Sequence, residues 1–555
     1  MSDFLRELGY DPLRYWLFAA LTLLLWLASA AIPWDPHDRS YRRLNRPIMF
    51  GILLLIAMFA WRWPAIFHYK PVNPDEAQFL AGALTMLSRG SLWWVDPTTS
   101  GPLVVLPLAL PGVPGFPVDF NSGRIIGLLL EWGTVLFGYM TLRHVHGDQN
   151  GRLLVTPLAG LMIFLVFWDF VPYCSELSPL FLCAAATWLC HTAFPPDNSS
   201  PCSWRLAVGG LVLGLLPFSK VQVLPLGAAI GLAAICRILL PSGDKPKNIL
   251  LPLAWLLGGT ILGFGAMLTG LWHSGEWSDV YQSYVVHNLH YAQARGLPWN
   301  ESGYLLTYLT SFSWGFPSFH YGTLVLLALG FLGLRRFQWR PLLPAWLLCV
   351  AAYCAVLAPG RLYPHYLLFL SFPLALLAGL QFGYLLDARP PRHRVFWFAV
   401  LLSMGGADQL LERVGRHESL RNLIAVTHPR DDVTRFINQN KKTGDSLAVW
   451  GWRPEFYVET QLPQATREAH TEAQVNEHPQ RDHFRARYLA DLRAGEPAFF
   501  IDSVGPDDYQ LKDPARQGHE TFPELADYIA LNYTLANTGG SFRLYLRQTA
   551  DRAAR

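Results

Sequence analysis

The chain reads as a polytopic α-helical membrane protein with a C-terminal soluble α/β domain, and three observations predict this. Of 555 residues, 52% are hydrophobic and only 15% are charged, with 21 Trp, and the mean hydropathy is positive. Such a composition departs from that of ordinary soluble domains. Apolar stretches of the roughly 17 to 25 residues needed to cross a bilayer recur as far as Leu411. After Leu411 charged residues become frequent, and no apolar run is long enough to cross. A net charge of +3 without a long basic run gives no sign of a nucleic-acid partner, and none is expected. The seven cysteines lie at or before Cys354, in or beside apolar spans and with no CxxC pair, which argues against a disulfide framework or a zinc ribbon.

The spans follow in order. Residues 13–32 and 48–67 are the first two, and Arg39, Arg42, Arg43 and Arg46 between them place that connection in the cytoplasm. No small-residue cleavage pattern follows the first, so it is read as a span and not as a signal peptide. Residues 124–142 return inward to Arg143 and Arg152, 153–171 leave, and 177–194 come back. Then 206–218 leave, 221–240 return to Lys245 and Lys247, and 249–271 leave again. A long external stretch, 272–320, ends in an apolar tail, 304–319. Counting that tail as a span would put Arg335, Arg336 and Arg340 outside, so it is read as interfacial or re-entrant. Residues 323–334, 342–357, 367–386 and 395–411 bring the total to about a dozen spans, with 387–394 cytoplasmic.

The transmembrane domain is therefore 1–411, with external loops 68–122 and 272–320, and by parity 412–555 is an external domain. Within it 432–440, 481–493 and 522–531 have helical patterns, whereas 446–452, 498–504 and 542–547 read as strands. Together they predict a small α/β layer fold.

Between the second and third spans lies Lys70-Pro-Val-Asn73-Pro-Asp75-Glu76. Asn73 suits an N-cap, Pro74 the first helical position, and the two carboxylates the positive end of the helix dipole. Phe79, Leu80, Ala83, Leu84 and Leu87 then form one apolar stripe, and Gly90 is a stop. This predicts a helix lying on the membrane surface. Glu76 points into the middle of the stripe and Asp75 to its edge, so at least one carboxylate faces protein or lipid, and this stretch is the candidate active site. Asn73 and Glu76 also have the spacing of a capping box, so helix initiation alone explains them equally well.

Other external groups sit where water is scarce. Glu176 lies in a turn of a few residues between two spans, as an interfacial carboxylate or as part of a site. Lys220, after Pro217-Phe-Ser, is an interfacial anchor or a site cation. Arg361 and His365 occupy a third such turn, Pro359-Gly-Arg-Leu-Tyr-Pro-His-Tyr366. The long loop adds Asp279, His287, Asn288, His290, Tyr291 and Arg295. His287 and His290 lack a third metal ligand and read as packing or polar-network residues; no metal is assigned, although a divalent ion stays open. Carboxylates and cations thus gather at the outer boundary, where a lipid phosphate is held by cations while its tail stays between spans.

The ordered set resembles the bacterial branch of the GT-C glycosyltransferases, above all the protein O-mannosyltransferase and aminoarabinose-transferase group. It comprises Asp75-Glu-Ala in the first external loop, Ser-Gly-Arg124 opening the next span, Glu176 in a short turn, Phe-Ser-Lys220, and Gly-Arg361-Leu-Tyr-Pro-His365-Tyr. The resemblance covers 49–411, and Trp450-Gly-Trp-Arg-Pro-Glu-Phe-Tyr457 resembles the start of the external domain in bacterial relatives. It implies a GT-C-like fold in the bacterial inner membrane with a periplasmic site. The donor it implies is a polyprenyl-phosphate-linked sugar, with an acceptor hydroxyl on a glycan, lipid or protein and inversion at the anomeric carbon. Asp75 then becomes the base or acceptor-binding group, with Glu76 and Glu176 as further catalytic carboxylates. Lys220, Arg361 and His365 bind the donor phosphate, and Arg124, Asn288, Tyr291 and Arg295 are substrate-binding. The span 13–32 is extra to the family pattern. No cofactor is implied.

A transporter or flippase of a lipid-linked saccharide is the alternative, because intramembrane charges and broken helices suit it too. Crowding of polar groups at the outer boundary, with no visible repeat, favours the transferase.

Overall fold

The computed structural model describes residues 12–31, 46–68, 73–165, 170–195, 201–240, 249–293, 315–332, 339–361, 363–388, 394–415, 432–537 and 542–548. The membrane helices begin with α1 (Pro12–Ala31) and α2 (Pro47–Ile66), followed by α3 (Pro74–Arg89) and α4 (Pro102–Ala109). Next comes α5 (Phe120–Phe164), in which Gly147 adopts φ 77° and breaks the helix into two spans. Then follow α6 (Leu177–Thr192), α7 (Ser203–Leu215), α8 (Leu224–Leu239) and α9 (Leu250–Ser274). After α10 (His287–Gln293) come α11 (Pro317–Gly330), α12 (Trp339–Leu357), α13 (Leu368–Ala388) and α14 (Arg394–Gly415).

Seven of the helices among the described residues are long and apolar enough to cross a membrane, and shorter apolar helices stand at three further expected positions. One expectation about the spans changes. Helix α11 starts at Pro317, six residues ahead of the expected span, because Pro317 suits a first turn. Helix α4 adds an apolar element inside the expected external loop 68–122. The remainder of the tail expected to be interfacial, 304–314, lies outside the described residues.

The chain divides into two compact units. The first comprises 1–68, 124–270 and 291–425, and the second 69–123, 271–290 and 426–555. In the first unit α1 packs on α2, α6 on α7, α12 on both α8 and α13, and α11 on both α13 and α14. Arg413 ties three parts of it together by donating to Tyr15 Oη, the Trp61 carbonyl and the Leu165 carbonyl.

The second unit is built on a four-stranded sheet. Its strands are β1 (Leu447–Trp450), β2 (Phe499–Asp502), β3 (Tyr533–Asn537) and β4 (Arg543–Arg547), in the order β1-β2-β4-β3. Strands β1 and β2 are parallel, and the other pairs antiparallel. Alternation sends Leu447, Val449, Phe499 and Ile501 to one face, where they meet Val433, Phe456, Tyr457 and Ala81 of α3. Ala448, Trp450 and Phe500 go to the other, against Tyr488, Leu492, Leu525 and Ile529. Helix α3 is therefore part of a protein core. It is enclosed, with Leu80 against Gly123, Gly82 against Val95 and Val105, and Thr85 Oγ1 accepting from the Gln464 amide at 2.9 Å. The helix expected on the membrane surface thus packs into the core of its own unit: opposite the apolar stripe Gln78 and Thr85 are buried, whereas Ser88 and Arg89 are exposed.

Candidate functional site

In the first unit, three chain breaks bring polar groups to the ends of α6, α8, α12 and α13. Glu176 occupies the N-cap position of α6 yet makes no side-chain cap bond, which leaves its carboxylate to other partners at the positive end of the helix. Pro217 ends α7 in a 3-10 turn, and Lys220 follows in extended conformation before a second turn leads into α8. Helix α12 is stopped by Pro359 and by Gly360 at φ 64°, a conformation glycine adopts without steric cost, and Arg361 follows. Pro364 then opens the turn that carries His365 and Tyr366 into α13.

Here the structure joins what the sequence held 44 residues apart. Lys220 Nζ donates to Glu176 Oε1 and, at 2.7 Å, to Ser175 Oγ. The Ser175 hydroxyl in turn lies 3.1 Å from both Glu176 oxygens. Glu176 is 0% exposed and Lys220 4%, so this is a buried ion pair with its own hydroxyl bridge. Burial alone would raise the Glu176 carboxyl, but the attraction of Lys220, helped by His365 and by the hydrogen bonds, holds it below the ordinary carboxylate range. A carboxylate so held is a poor proton acceptor at neutral pH.

Lys220 Nζ also lies 4.8 Å from the centre of the Tyr366 ring. Tyr366 and Tyr363 are hydrogen-bonded to Tyr291, and the Arg361 guanidinium lies over the Tyr291 ring at 4.1 Å. Burial, then the Tyr363 hydroxyl, pushes the Tyr291 phenol up, so it stays neutral and acts as a hydrogen-bonding group. His365 stacks on Tyr363 at 5.5 Å and meets Tyr366 edge-on at 4.9 Å. Arg361 forms no ion pair among the described residues, and its Nε is buried without a hydrogen-bond partner. The cluster thus carries Glu176, Lys220 and Arg361, one positive charge in excess, and its uncommitted cation is Arg361. Ser175, Tyr363 and Tyr366 were not singled out from sequence, although Tyr363 and Tyr366 flank His365 in the quoted turn.

Arg124 has a different place in this unit. It is 1% exposed and donates to the carbonyls of Ala65, at 3.0 Å, and His68. It thereby satisfies carbonyls at and just past the C-terminal end of α2. Arg295 lies outside the described residues.

Asp75, Glu76 and Asn288 belong to the second unit. Asn73 is extended and its side chain accepts from the Asp75 amide at 2.9 Å, with Pro74 at the first helical position and Gly90 at φ 66° closing the helix. Glu76 is 0% exposed, and Asp75 is partly exposed with Oδ1 accepting from Gln78 Nε2 at 3.3 Å. The chain from Tyr281 to Val286 winds as a π-helix, and Asn288 Nδ2 is spent on the carbonyls of Tyr284, at 2.7 Å, and Thr99, at 3.3 Å. His287 packs against His478 and Phe484 rather than pairing with His290 around a metal. Among the described residues one group has metal-ligating geometry, Asp502, His519 and Glu520. The Arg543 guanidinium already donates to both carboxylates there, so a protein cation occupies the focus of the cluster.

This unit holds a further charged network. Arg487 bridges Asp96 and Glu468, all three buried. Burial, with the like charges of Asp96 and Asp491, pushes the Glu468 carboxyl up to about 7 despite the opposing pull of Arg487.

No protein-family model matches the sequence, and no curated protein matches it. Solved structures do match its fold. ArnT from Cupriavidus metallidurans bound to undecaprenyl phosphate is similar with a TM-score of 0.57 and 13% identity, over 96% of this chain and 98% of that one. In the apo state the same protein matches with a TM-score of 0.51 and 14% identity, over 95% and 97%. The Archaeoglobus fulgidus oligosaccharyltransferase in the apo form has a TM-score of 0.50 and 10% identity, over 93% and 76%. The likeness is one of fold. It is the polytopic GT-C architecture with a soluble C-terminal domain that the sequence resemblance implied.

Proposed function

We propose that the chain is a membrane glycosyltransferase that moves a sugar from a polyprenyl-phosphate donor to an acceptor hydroxyl on the external, periplasmic face. The observation that carries this reading is the cluster of Arg361, Tyr291, Tyr366, Lys220 and Glu176 at the ends of membrane helices. A buried site with one excess positive charge matches a donor phosphodiester, which carries one negative charge. Arg361, stacked on Tyr291 and free of carboxylates among the described residues, is the principal phosphate ligand. Lys220, already neutralised by Glu176, contributes less. The ArnT structure contains undecaprenyl phosphate, a ligand of the same chemical class.

In the reaction the acceptor oxygen attacks the anomeric carbon from the face opposite the phosphate. The new C–O bond forms as the bond to the phosphate oxygen breaks, inverting the carbon. Asp75 takes the acceptor's proton. This assignment is favoured because Asp75 is partly exposed and its helix start is capped by Asn73, whereas Glu176 is committed to Lys220. The released polyprenyl phosphate carries between one and two negative charges near neutral pH, since its second pKa is about 6. His365, set beside Tyr363 and Tyr366 in the same turn, is a further hydrogen-bond donor to that phosphate.

Purified protein given radiolabelled polyprenyl-phosphate sugar tests the reading. Stoichiometric appearance of polyprenyl phosphate and labelled acceptor is expected. Movement of intact donor across a bilayer without release of polyprenyl phosphate would make the chain a flippase instead.

A further inference from the structure

The helices that present the candidate site at one end enclose a second cavity towards the other. It is narrow and partly open, with about 420 Å³ of empty space once the solvent at its mouth is counted, and is lined by Thr187, Cys190 and His191 of α6, Ala234 and Arg237 of α8, Ala345 of α12 and neighbouring apolar side chains of α13. Helix α6 has 16 residues and is therefore about 24 Å long, with Glu176 before its first residue and His191 in its last turn. The two sites are thus at opposite ends of this helix. Small side chains on α8 and α12 make the space, and its apolar walls suit a linear hydrocarbon chain.

The mouth of this cavity is cationic. Arg237 Nη1 donates to the His191 carbonyl at 3.1 Å, and its guanidinium lies 4.5 Å from the centre of the Phe194 ring. It forms no ion pair with any carboxylate among the described residues. Arg205 donates to the Thr192 carbonyl at 2.7 Å, and its Nε is buried with no hydrogen-bond partner. His144 accompanies them, with Nε2 at 3.0 Å from the Phe194 carbonyl. Two arginines around the end of one apolar helix, with donors left over and no carboxylate among the described residues, form an incomplete electrostatic unit.

The geometry points to a structural lipid site: the phosphate of an anionic phospholipid binds Arg237 and Arg205 while one acyl chain enters the cavity between α6, α8, α12 and α13. The sidedness agrees, because arginines concentrate at cytoplasmic helix ends and anionic lipids line that leaflet. This inference does not rest on the transferase reading.

Full-length protein in mild detergent, titrated with phosphatidylglycerol and observed by native mass spectrometry, tests it, with phosphatidylcholine and inorganic phosphate as separate arms. Arg237→Met is expected to weaken phosphatidylglycerol binding by roughly tenfold or more, the loss of one charge-assisted contact. Ala234→Leu keeps every charge but fills the cavity, and it is expected to weaken binding as well; it carries the test if Arg237→Met does not fold. Wild-type affinity in Ala234→Leu overturns the acyl-chain placement. Equal affinity for phosphatidylcholine, or complete displacement of phosphatidylglycerol by inorganic phosphate, overturns the anionic-lipid assignment.

Discussion

Lys220 and Glu176 make the most decisive energetic test, because each is buried and each neutralises the other. Replacing Lys220 by Met leaves the carboxylate of Glu176, 0% exposed, with the Ser175 hydroxyl in place of its cation. Breaking one side of a buried pair costs about 3–5 kcal/mol, which corresponds to a fall in thermal midpoint of roughly 5 to 15 °C for a large domain. The double variant Glu176→Gln/Lys220→Met removes both charges, so it should recover at least half of that loss. The pH dependence has a definite sign. In the wild type, Glu176 is held below its unfolded value, so its contribution is present above roughly pH 4.3 and is lost only as pH falls through the lower folded value. Without Lys220 burial is no longer offset and the folded value rises above the unfolded one. Stability is then greatest at low pH and falls as pH rises through the raised value. The gap between wild type and Lys220→Met should therefore widen from pH 5 to pH 8. Thermal unfolding in detergent across that range measures it. Additive effects in the double variant, together with a gap independent of pH, would refute the buried-pair account.

The other predictions concern the donor, the base, the second unit and the topology. Arg361→Met should weaken donor binding by about 1.5–3 kcal/mol in a titration with polyprenyl phosphate, and Arg361→Lys should not restore it, because an ammonium cannot reproduce a planar group stacked on Tyr291. Asp75→Asn keeps an oxygen for Gln78 Nε2 and leaves the Asn73 cap intact, so donor binding should persist while transfer falls by on the order of 10² to 10⁴; an unchanged rate would remove Asp75 as base. With Glu468 pushed up to about 7, its contribution is complete below the unfolded carboxylate value and is lost as pH rises through 7. Hydrogen exchange in strand β1 should accordingly speed up between pH 5 and 8, and Glu468→Gln should flatten that dependence. With native Cys354 replaced by Ser, Glu477→Cys should react with an impermeant thiol reagent from outside and Ser242→Cys should not. Glu477 is chosen because its side chain is 92% exposed, whereas Ser503 is fully buried.

What the sequence made legible followed from periodicity and from helix punctuation. Asn73, Pro74 and Gly90 bound α3 as their backbone preferences dictate, the apolar runs of β1 and β2 marked two buried strands, and the alternating Phe542, Leu544 and Leu546 marked β4. Strand β3 was missed because Tyr533 follows Asn532 of the preceding helix directly, with no glycine or proline to announce the change. The polar groups in the external turns were visible singly, but pairing is a tertiary fact. Nothing local to Glu176 indicates that its charge is spent on Lys220, or that Arg361 stands on Tyr291, 70 residues earlier in the chain. Nor does the composition of α3 reveal that Ala81 belongs to a core built with the 426–555 segment.

The bond from the Gln464 amide to Thr85 spans 379 positions of chain, and this has a consequence for biosynthesis. At roughly 5–20 residues per second the ribosome needs about 20 to 75 seconds between emitting these two residues. In the proposed orientation the segment bearing Asp75 is across the bilayer through that interval, while the strands that will seat Ala81 and Thr85 have not been made. A chain ended before Leu447 would hold the described membrane helices and leave α3 without its partners in that core, open to proteases on the proposed periplasmic side. Completion of the last hundred residues is therefore needed to seat the loop bearing the proposed base.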